Sequence, residues 1–259
     1  MRGAAVRSSE KISAVSAAAE KIRSLGARAL SAPGVIRFRI RRRRLAARYL
    51  RGNGIEVGAL HQPLKVPSAA TVRYVDRMTV DDLREHYPEL AHEPLVAVDI
   101  VDDGETLASQ PDASADFIIA NHFIEHTQNP LGTLANHLRV LRPGGVLYMA
   151  VPDRRRTFDV DRSATALQHL VQDYSNGPEG SRSEHFAEWA RFVERVPADQ
   201  VAARTKELEE QDYSIHFHVW TAEEFKELLG YAQNEQQLPF RVEELRENEL
   251  EFIAVLRRS

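Results

Sequence analysis

The stretch that most constrains this chain is residues 54–63, Gly-Ile-Glu-Val-Gly-Ala-Leu-His-Gln-Pro. Apolar residues surround Glu56, stop at Gly58 and give way to a turn that closes at Pro63. This pattern predicts a buried parallel strand that ends in a loop. Because Gly58 has no Cβ, the backbone there can approach a ligand closely. In a doubly wound α/β sheet, the crevice outside the first strand's carboxyl end holds a nucleoside-bearing ligand.

Four more strands follow in the order that such a sheet requires. Residues 72–76 predict a second strand, and its last residue, Asp76, lies 18 positions after Gly58. A carboxylate about 20 residues after a glycine turn is placed to accept hydrogen bonds from ribose hydroxyls. The third, fourth and fifth strands are predicted at residues 95–100, 116–120 and 146–151. The amphipathic stretch 130–140 predicts a helix between the last two, and such β-helix-β alternation forces parallel pairing.

The last part of the chain adds a long insertion and a terminal hairpin. Residues 153–220 exceed the dozen or so residues that a crossover needs. They contain apparent helices at 163–174, 183–196 and 198–211. Because the segment leaves the carboxyl end of strand five, we expect it to cover the site and select what binds there. Two apolar runs, 240–245 and 251–256, predict an antiparallel hairpin.

Composition limits the class of protein. With 259 residues and 43% hydrophobic content, the chain is long enough for one α/β domain with an elaboration. No apolar run approaches the roughly 20 residues of a membrane span, and the first thirty residues lack the continuous apolar core of a signal peptide. The absence of Cys excludes disulfides, thiolate metal sites and Cys nucleophiles. A cytoplasmic location is expected, and the sequence sets no oligomeric state.

Charge divides the chain into a basic extension, residues 1–52, and an acidic domain, residues 53–259. Residues 1–51 hold fourteen Lys and Arg against two acids. An acidic domain argues against nucleic acid as the main partner, because phosphate binding relies on basic surface. Residues 4–30 are helix-prone. Residues 36–50 predict an Arg-rich helix with two interpretations: it contacts an anionic membrane or an acidic glycan, or it packs its apolar residues on the sheet. Those apolar residues are Ile36, Ile40, Leu45 and Leu50. A transit peptide is a third interpretation of the Arg- and Ser-rich start.

Two further motifs make the order of features specific. Residues 103–117 contain Asp-x-Glu-x-Leu and then Pro-Asp-x-Ser-x-Asp-Phe, and residues 141–145 are Leu-x-Pro-Gly-Gly. Together with residues 54–63 they resemble the class I S-adenosylmethionine (SAM)-dependent methyltransferases, in particular the small bacterial "type 11" group. Along residues 54–257 the chain is similar to a bacterial subgroup with Gly-Ala-Leu-His-x-Pro, Tyr-Val-Asp-Arg, Asn-His-Phe-x-Glu-His and a late His-Phe-His-Val-Trp-Thr. The resemblance implies a Rossmann-like seven-stranded sheet, S-adenosyl-L-methionine as cofactor, and surface glycans as acceptors.

The resemblance also implies which residues hold the cofactor. Glu56, Gly58 and Ala59 fall at its methionine and ribose side, and Asp76 at the ribose. Asp103 and Glu105 fall at the adenine edge. Asn121 and His122 line the floor beneath the methyl group. The full set is Glu56, Gly58, Ala59, Leu60, Asp76, Arg77, Asp103, Gly104, Glu105, Asn121 and His122. For Asp76 a helix N-cap is the alternative, and for Glu105 a solvent-exposed position.

One position departs from the family pattern. Leu60 stands where the family usually has a second glycine. Its side chain either packs outward and leaves the backbone path intact, or crowds the ligand and leaves a relic without cofactor.

Methyl transfer to a hydroxyl requires alignment and a base for the departing proton. Histidine suits that task because its ordinary pKa is about 6.5. The candidate catalytic residues are His122, His216, His218 and Asp153. His216 and His218 share a face if their segment is extended. Their alternative role is structural, as polar residues at the start of the helix that follows.

The densely charged loop after strand five has three interpretations. Its side chains bind the acceptor, with arginines for a carboxylate or phosphate and aspartates for sugar hydroxyls. Asp153, Asp159, Asp161 and the histidines instead form a hard-cation site. The third interpretation is a salt-bridged surface loop. The residues assigned to acceptor binding are Arg154, Arg156, Asp159, Asp161 and His185, and none is assigned to a metal.

The predicted function is therefore O-methylation of a sugar, a glycan or another small hydroxylated acceptor, in polysaccharide biosynthesis. The alternative is a non-catalytic protein that binds SAM or its product, or serves as a scaffold on the same fold. A Rossmann oxidoreductase fits less well, because the turn lacks the Gly-x-Gly-x-x-Gly that admits a pyrophosphate.

Overall fold

The computed structural model describes residues 32–87 and 90–259. Its helices are α1 (Ala32–Tyr49), α2 (Val80–His86), α3 (Pro130–Val140), α4 (Leu167–Asn176), α5 (Glu179–Phe192), α6 (Val201–Glu210) and α7 (Ala222–Asn234). Its strands are β1 (Gly52–Val57), β2 (Ala70–Asp76), β3 (Ile100–Val101), β4 (Ala115–Asn121), β5 (Leu141–Pro152), β6 (Phe240–Asn248) and β7 (Glu251–Arg258). Two 3₁₀ turns cover Ile124–His126 and Arg154–Arg156. The expectations for residues 4–30 and for a transit peptide lie outside the described residues.

All seven strands form one sheet in the order β3-β2-β1-β4-β5-β7-β6. Strands β1 to β5 pair in parallel, and β7 lies antiparallel between β5 and β6. The strand order reverses between β1 and β4, and in doubly wound sheets ligands bind at that point. The predicted α/β class, the seven-stranded Rossmann-like sheet and the terminal hairpin are confirmed.

The two faces of the sheet are covered by different elements. Along β5, Leu147, Met149 and Val151 face the larger core, which α3 and α7 cover. The alternate residues, Tyr148 among them, face a second core that α1 closes. This alternation places α1 on the sheet as a structural layer of the domain.

The prediction that α1 packs its apolar residues on the sheet is half right. Leu45 and Leu50 are buried, but Ile36 and Ile40 are 59% and 40% exposed. Hydrogen bonds from two arginines to the terminal hairpin hold this half of the helix instead. Arg37 Nε donates to Glu249 at 2.9 Å, and Arg41 donates to the Glu247 carbonyl at 3.1 Å. Ile36 and Ile40, one helical turn apart, therefore face outward.

The third strand is shorter than predicted. Only Ile100 and Val101 form a strand, whereas residues 95–99 were expected to begin it. The side chain of Asp99 explains the difference, because its carboxylate accepts the Tyr74 N–H at 2.8 Å. That N–H is a donor of β2, so a side chain takes the place of a backbone ladder acceptor.

The insertion carries the three predicted helices, with ends displaced by a few residues. It has a separate core that includes Phe186, Trp189 and Phe217. Residues 215–220 return in extended form to β5, where Trp220 bridges Asp153. Thr221 then begins α7 through a capping box with Glu224. None of the described helices is long and apolar enough to cross a bilayer.

Candidate active site

Glu56 shapes the loop that follows β1. Its buried carboxylate accepts the Leu64 N–H at 2.9 and 3.1 Å. Burial raises the pKa of Glu56 to about 7, although the Leu64 amide and Arg42 lower it. Gly58 adopts φ +64° at the start of the loop, and its N–H donates to the Val75 carbonyl at 2.9 Å. The described contacts of Glu56 thus fix the loop's path.

Leu60 has the backbone conformation that a glycine would supply. Its φ is +49°, in the left-handed region. Its carbonyl accepts the Val96 N–H at 2.9 Å, which ties the loop to the segment before β3. The backbone path is therefore kept, while the side chain lines a cleft beside Asp76.

This cleft is apolar, and the space of about 200 Å³ between its lining atoms is open to solvent. It is lined by Ala59, Leu60, Tyr74, Val75, Asp76, Leu83, Leu95, Val96 and Val98. Among the described residues that line it, Asp76 is the one carboxylate. Burial raises the pKa of Asp76, although the backbone amides of Arg77 and Met78 donate to it. Asp76 is not a helix N-cap, because Thr79 caps α2.

The acids after β3 bind backbone amides within the loops. Asp103 Oδ1 accepts the N–H groups of Glu105 and Thr106, both at 2.8 Å. Glu105 accepts the N–H groups of Gln128 and Asn129, at 3.0 and 3.4 Å, and burial raises its pKa. Glu105 is thus half-buried, which contradicts the solvent-exposed alternative.

Two other predicted cofactor residues have clear contacts. A Cβ at Gly104 would lie 2.6 Å from Phe123 and from Val57, so a side chain there would displace the loop. The guanidinium of Arg77 donates to Asp212 at 2.8 Å and to the Tyr87 hydroxyl at 2.7 Å. Arg77 therefore links the end of β2 to the insertion.

His122 stands at the tip of β4 in a pair with a buried glutamate. Its Nε2 lies 2.9 Å from Glu251 Oε2, and its side chain is 44% exposed. Its φ of +50° is left-handed, which is uncommon for a residue other than glycine. Because a carboxylate accepts hydrogen bonds only, Nε2 carries the proton of the hydrogen bond to Glu251.

Glu251 is held by three side chains. Arg42 of α1 donates to it through Nε at 2.8 Å and through Nη2, and Asn248 donates through Nδ2 at 2.7 Å. Burial alone would raise the pKa of Glu251, but Arg42 and His122 lower it to about 2. The His122 partner is therefore a permanent carboxylate whose position is fixed by α1.

A second buried group lies behind His122. Glu125 Oε1 is 3.7 Å from His122 Nδ1, and burial raises the pKa of Glu125. A carboxylate oxygen of Glu125 and ring nitrogens of His126 and His216 lie within 4.8 Å of one another. His126 Nδ1 donates to the Ile215 carbonyl at 2.8 Å.

His216 pairs with a different carboxylate. Its Nδ1 lies 2.7 Å from Asp159 Oδ2. Burial favours the neutral ring, but Asp159 raises the pKa of His216 above its ordinary value. Only 9% of its side chain is exposed, so His122 is the more accessible of the two paired histidines.

The loop after β5 consists of salt bridges. Asp153 is buried and binds Arg155 at 2.7 Å, Asp159 binds Arg162 at 2.9 Å, and Asp161 binds Arg195 at 2.6 Å. The three carboxylates therefore do not converge on a hard-cation site. Arg154 donates to the Arg162 carbonyl at 2.6 Å. Arg156 follows β5 and lies 3.6 Å from Glu247 of β6.

His218 and His185 meet away from Asp159. His218 is fully buried in a group with His169, Asp173 and His185. Burial, reinforced by His169, lowers the pKa of His185 to about 4. His216 and His218 thus contribute to two separate clusters of buried side chains.

Three important residues were not predicted. Glu251, Arg42 and Glu125 surround His122, yet Arg42 was grouped with the basic extension and Glu251 with a strand. The signal was weak but present: Glu251 is an acid at the start of an otherwise apolar run. An acid there needs a buried partner, and an Arg-rich helix can supply one.

The strand order and the site agree with one family. A family model described as "Methyltransferase domain" matches residues 39–233. The chain belongs to this methyltransferase family. The protein is a SAM-dependent methyltransferase, and SAM is its cofactor.

Solved structures share the fold at low identity. A SAM-dependent methyltransferase from Aquifex aeolicus has 14% identity over 83% of this chain and 87% of that chain, with a TM-score of 0.46. One from Methanosarcina mazei has 16% identity over 82% and 95%, with a TM-score of 0.44. The CurJ carbon methyltransferase has 14% identity over 81% and 49%, with a TM-score of 0.41. No curated protein matches the sequence. Similarities at this level of identity do not identify the methyl acceptor.

The described residues of this methyltransferase fit SAM. The cleft beside Asp76 offers apolar walls and one carboxylate. An added Cβ at Gly58 would meet only Phe123, at 3.6 Å, so the loop's surface is otherwise open. Asn121 Oδ1 is buried without a hydrogen-bond partner among the described residues. It is thus available to accept a hydrogen bond from the cofactor.

Proposed function

We propose that this methyltransferase O-methylates a sugar, a glycan intermediate or another small hydroxylated acceptor, and that His122 is the general base. The observation that carries the proposal is the pairing of half-exposed His122 with buried Glu251 at 2.9 Å. A carboxylate that holds one ring nitrogen of a histidine leaves the other as a proton acceptor. Hydroxyl acceptors need such a group, because they lose a proton on methylation.

The position of His122 favours this role. In parallel α/β sheets the ligand lies outside the carboxyl ends of the strands, and His122 directly follows β4 at the switch point. Its left-handed backbone is supported by an N–H hydrogen bond to the Ala150 carbonyl at 2.8 Å. Sparsely populated conformations of this kind persist where the surroundings determine them, often at active sites.

The chemistry assigns one task to each group. When bound, SAM supplies a methyl group on a positively charged sulfur. Transfer of that methyl group to the acceptor oxygen would release S-adenosylhomocysteine (SAH) and the hydroxyl proton. His122 Nδ1 takes the hydroxyl proton. Glu251 holds the ring in place and stabilises the resulting imidazolium.

The unfilled hydrogen-bonding positions of Arg156 and Glu247 support a polyhydroxylated acceptor. Arg156 lies 3.6 Å from Glu247 and 3.9 Å from Asp153, longer than direct hydrogen bonds. Arg156 and Glu247 are both about half exposed. A guanidinium and a carboxylate together bind sugar hydroxyls as donor and acceptor. With such an acceptor the enzyme serves polysaccharide biosynthesis in the cytoplasm.

The test is a screen with methyl-labelled SAM, followed by identification of the methylated atom by NMR. Nucleotide sugars, oligosaccharides, small phenols, protein and nucleic acid are the acceptor classes to compare. Label on a sugar or small-molecule oxygen is expected. Label only on carbon, nitrogen, protein or nucleic acid would contradict the acceptor proposal.

The His122→Asn variant tests the base with the acceptor so identified. Asparagine tolerates the left-handed backbone but cannot accept the proton, so kcat should fall by about 10² to 10⁴-fold. His92→Asn, an exposed histidine away from the site, is the control and should retain activity. An unchanged kcat in His122→Asn would exclude His122 as the base.

A further inference from the structure

Four side chains of the insertion and its return segment converge on one point. His169 and Asp173 lie one turn apart on α4, His185 lies on α5, and His218 lies in the extended segment before Trp220. One nitrogen or oxygen of each lies within 4.8 Å of the others. The charged loop after β5 and His122 are not part of this group. Four residues from three elements thus present three imidazoles and one carboxylate to a common centre.

The separations match those of metal ligands. His169 Nε2 lies 3.0 Å from His185 Nε2 and 3.1 Å from Asp173 Oδ2. Tetrahedral zinc sites have bonds of about 2.0–2.2 Å, so neighbouring ligand atoms are about 3.4 Å apart. Small movements of His169, whose side chain is 29% exposed, would bring these atoms to that spacing.

The other polar atom of Asp173 and of His218 is already held. Asp173 Oδ1 accepts the Ser181 hydroxyl at 2.8 Å, and His218 Nε2 donates to the Gln128 carbonyl at 3.4 Å. The His185 ring packs edge-on against the Phe217 ring, with 5.8 Å between the ring centroids. Metal-binding side chains are oriented by such contacts, which fix the histidine tautomer and direct the free lone pair to the metal.

The inward atom of His218 lacks such a contact. His218 Nδ1 is buried and forms no hydrogen bond with any described residue, and Asp173 Oδ2 has only His169 Nε2 beside it, at 3.1 Å. Both residues are more than nine-tenths buried. Buried polar atoms are almost always paired, so the unpaired Nδ1 of His218 beside three other ligand atoms indicates an occupant at this centre.

We infer that His169, Asp173, His185 and His218 bind one zinc-class divalent metal ion, which fastens the insertion to the wall of the active site. Three imidazoles favour zinc and its transition-metal neighbours over calcium or magnesium, which prefer oxygen. Four protein ligands fill a tetrahedral zinc site, which is typical of a structural role. The backbone N–H of His218 donates to the Glu125 carbonyl at 3.2 Å, so the ion also steadies the segment beside Glu125.

The first experiment is metal analysis of protein purified without chelators or a histidine tag, followed by Zn²⁺ titration of chelator-treated protein. One equivalent should bind, and the melting temperature should rise with free Zn²⁺. Hydrogen exchange of α4 and α5 should slow when zinc is added. Failure of the wild-type protein to bind Zn²⁺ would overturn the inference, whatever its activity.

Variants then locate the ion. His185→Gln and Asp173→Asn should each weaken zinc binding by more than about 100-fold, because loss of an orienting contact alone costs 10- to 100-fold. His92→Gln, an exposed control, should bind as the wild type does. His126→Gln tests the neighbouring group with Glu125 and His216. Zinc lost only in His126→Gln, or retained in both ligand variants, would overturn the assignment.

Discussion

The two sides of the active site are built in different ways. On the cofactor side, at the ends of β1 to β3, carboxylates bind backbone amides close in sequence: Glu56 binds Leu64, and Asp103 binds Glu105. On the acceptor side, at the end of β4, side chains bind one another across the chain. Arg42 and Glu251 are separated by 209 positions, and His122 and Glu251 by 129. These two carboxylate contacts of the cofactor side depend on local sequence, whereas the His122–Glu251–Arg42 contacts depend on assembly of the whole domain.

The largest effect on stability should come from the buried ion pair between Arg42 and Glu251 on the acceptor side. Glu251→Gln leaves the guanidinium of Arg42 buried without its counter-charge, so the free energy of unfolding should fall by about 3–5 kcal/mol. Urea denaturation measures it. Glu249→Gln is the matched control, because its partner Arg37 is 58% exposed, and it should unfold nearly as the wild type does. Equal effects of the two substitutions would contradict the difference between the buried and exposed pairs.

On the cofactor side, Glu56 should make stability depend on pH. Burial raises its pKa from 4.5 to about 7, so the folded protein holds a proton that the unfolded chain has lost. This contribution is complete below pH 4.5 and disappears as the pH rises through about 7, a loss of about 3 kcal/mol at most. Glu56→Gln should remove this part of the pH dependence in ligand-free protein.

Urea denaturation at pH 5 and pH 8 checks this prediction. The exposed Glu85→Gln variant, which also removes one acid, should keep the wild-type pH dependence. If Glu56→Gln and the wild type lose the same stability between these pH values, Glu56 is not the buried acid responsible.

The smallest effect on stability is expected from two glycine substitutions, which separate backbone strain from loss of ligand binding. Gly58 and Gly144 have φ values of +64° and +80°. An added Cβ would meet only Phe123 at 3.6 Å in the first case and nothing within 4 Å in the second. Both Gly→Ala substitutions should therefore cost about 1–2 kcal/mol of stability through backbone strain alone. Only Gly58→Ala should also weaken SAH binding; the same loss in Gly144→Ala would show that the effect is general.

The difference between local and long-range contacts also explains which features could be predicted from the sequence. The strands, α3 and the hairpin follow from hydrophobic pattern and turn residues, which are local signals. Strand β3 was overestimated because the Asp99 side chain takes a ladder position that a pattern cannot reveal. Spacing from Gly58 predicts a ribose-binding role for Asp76, which lies beside an apolar cleft.

Local signals of this kind did not predict the partners of His122 on the acceptor side. His122 was a candidate because it follows a strand, but its partner Glu251 lies in the terminal hairpin and Arg42 in a helix before the sheet. Likewise, Asp159 and Asp161 look equivalent in sequence, yet one is buried against His216 and the other pairs at the surface with Arg195. Long-range ion pairs depend on tertiary packing, which sequence spacing does not encode.

The most direct test of this two-sided site is calorimetric titration of SAH into the wild type, Asp76→Ala and His122→Asn. A hydrogen bond to a charged group contributes about 1.5–3 kcal/mol, so Asp76→Ala should bind SAH about 10- to 150-fold more weakly. His122→Asn should bind within about threefold of the wild type, because its task is the proton of the acceptor. Unchanged binding in Asp76→Ala, or an equal loss in His122→Asn, would contradict the separation of cofactor and acceptor sides.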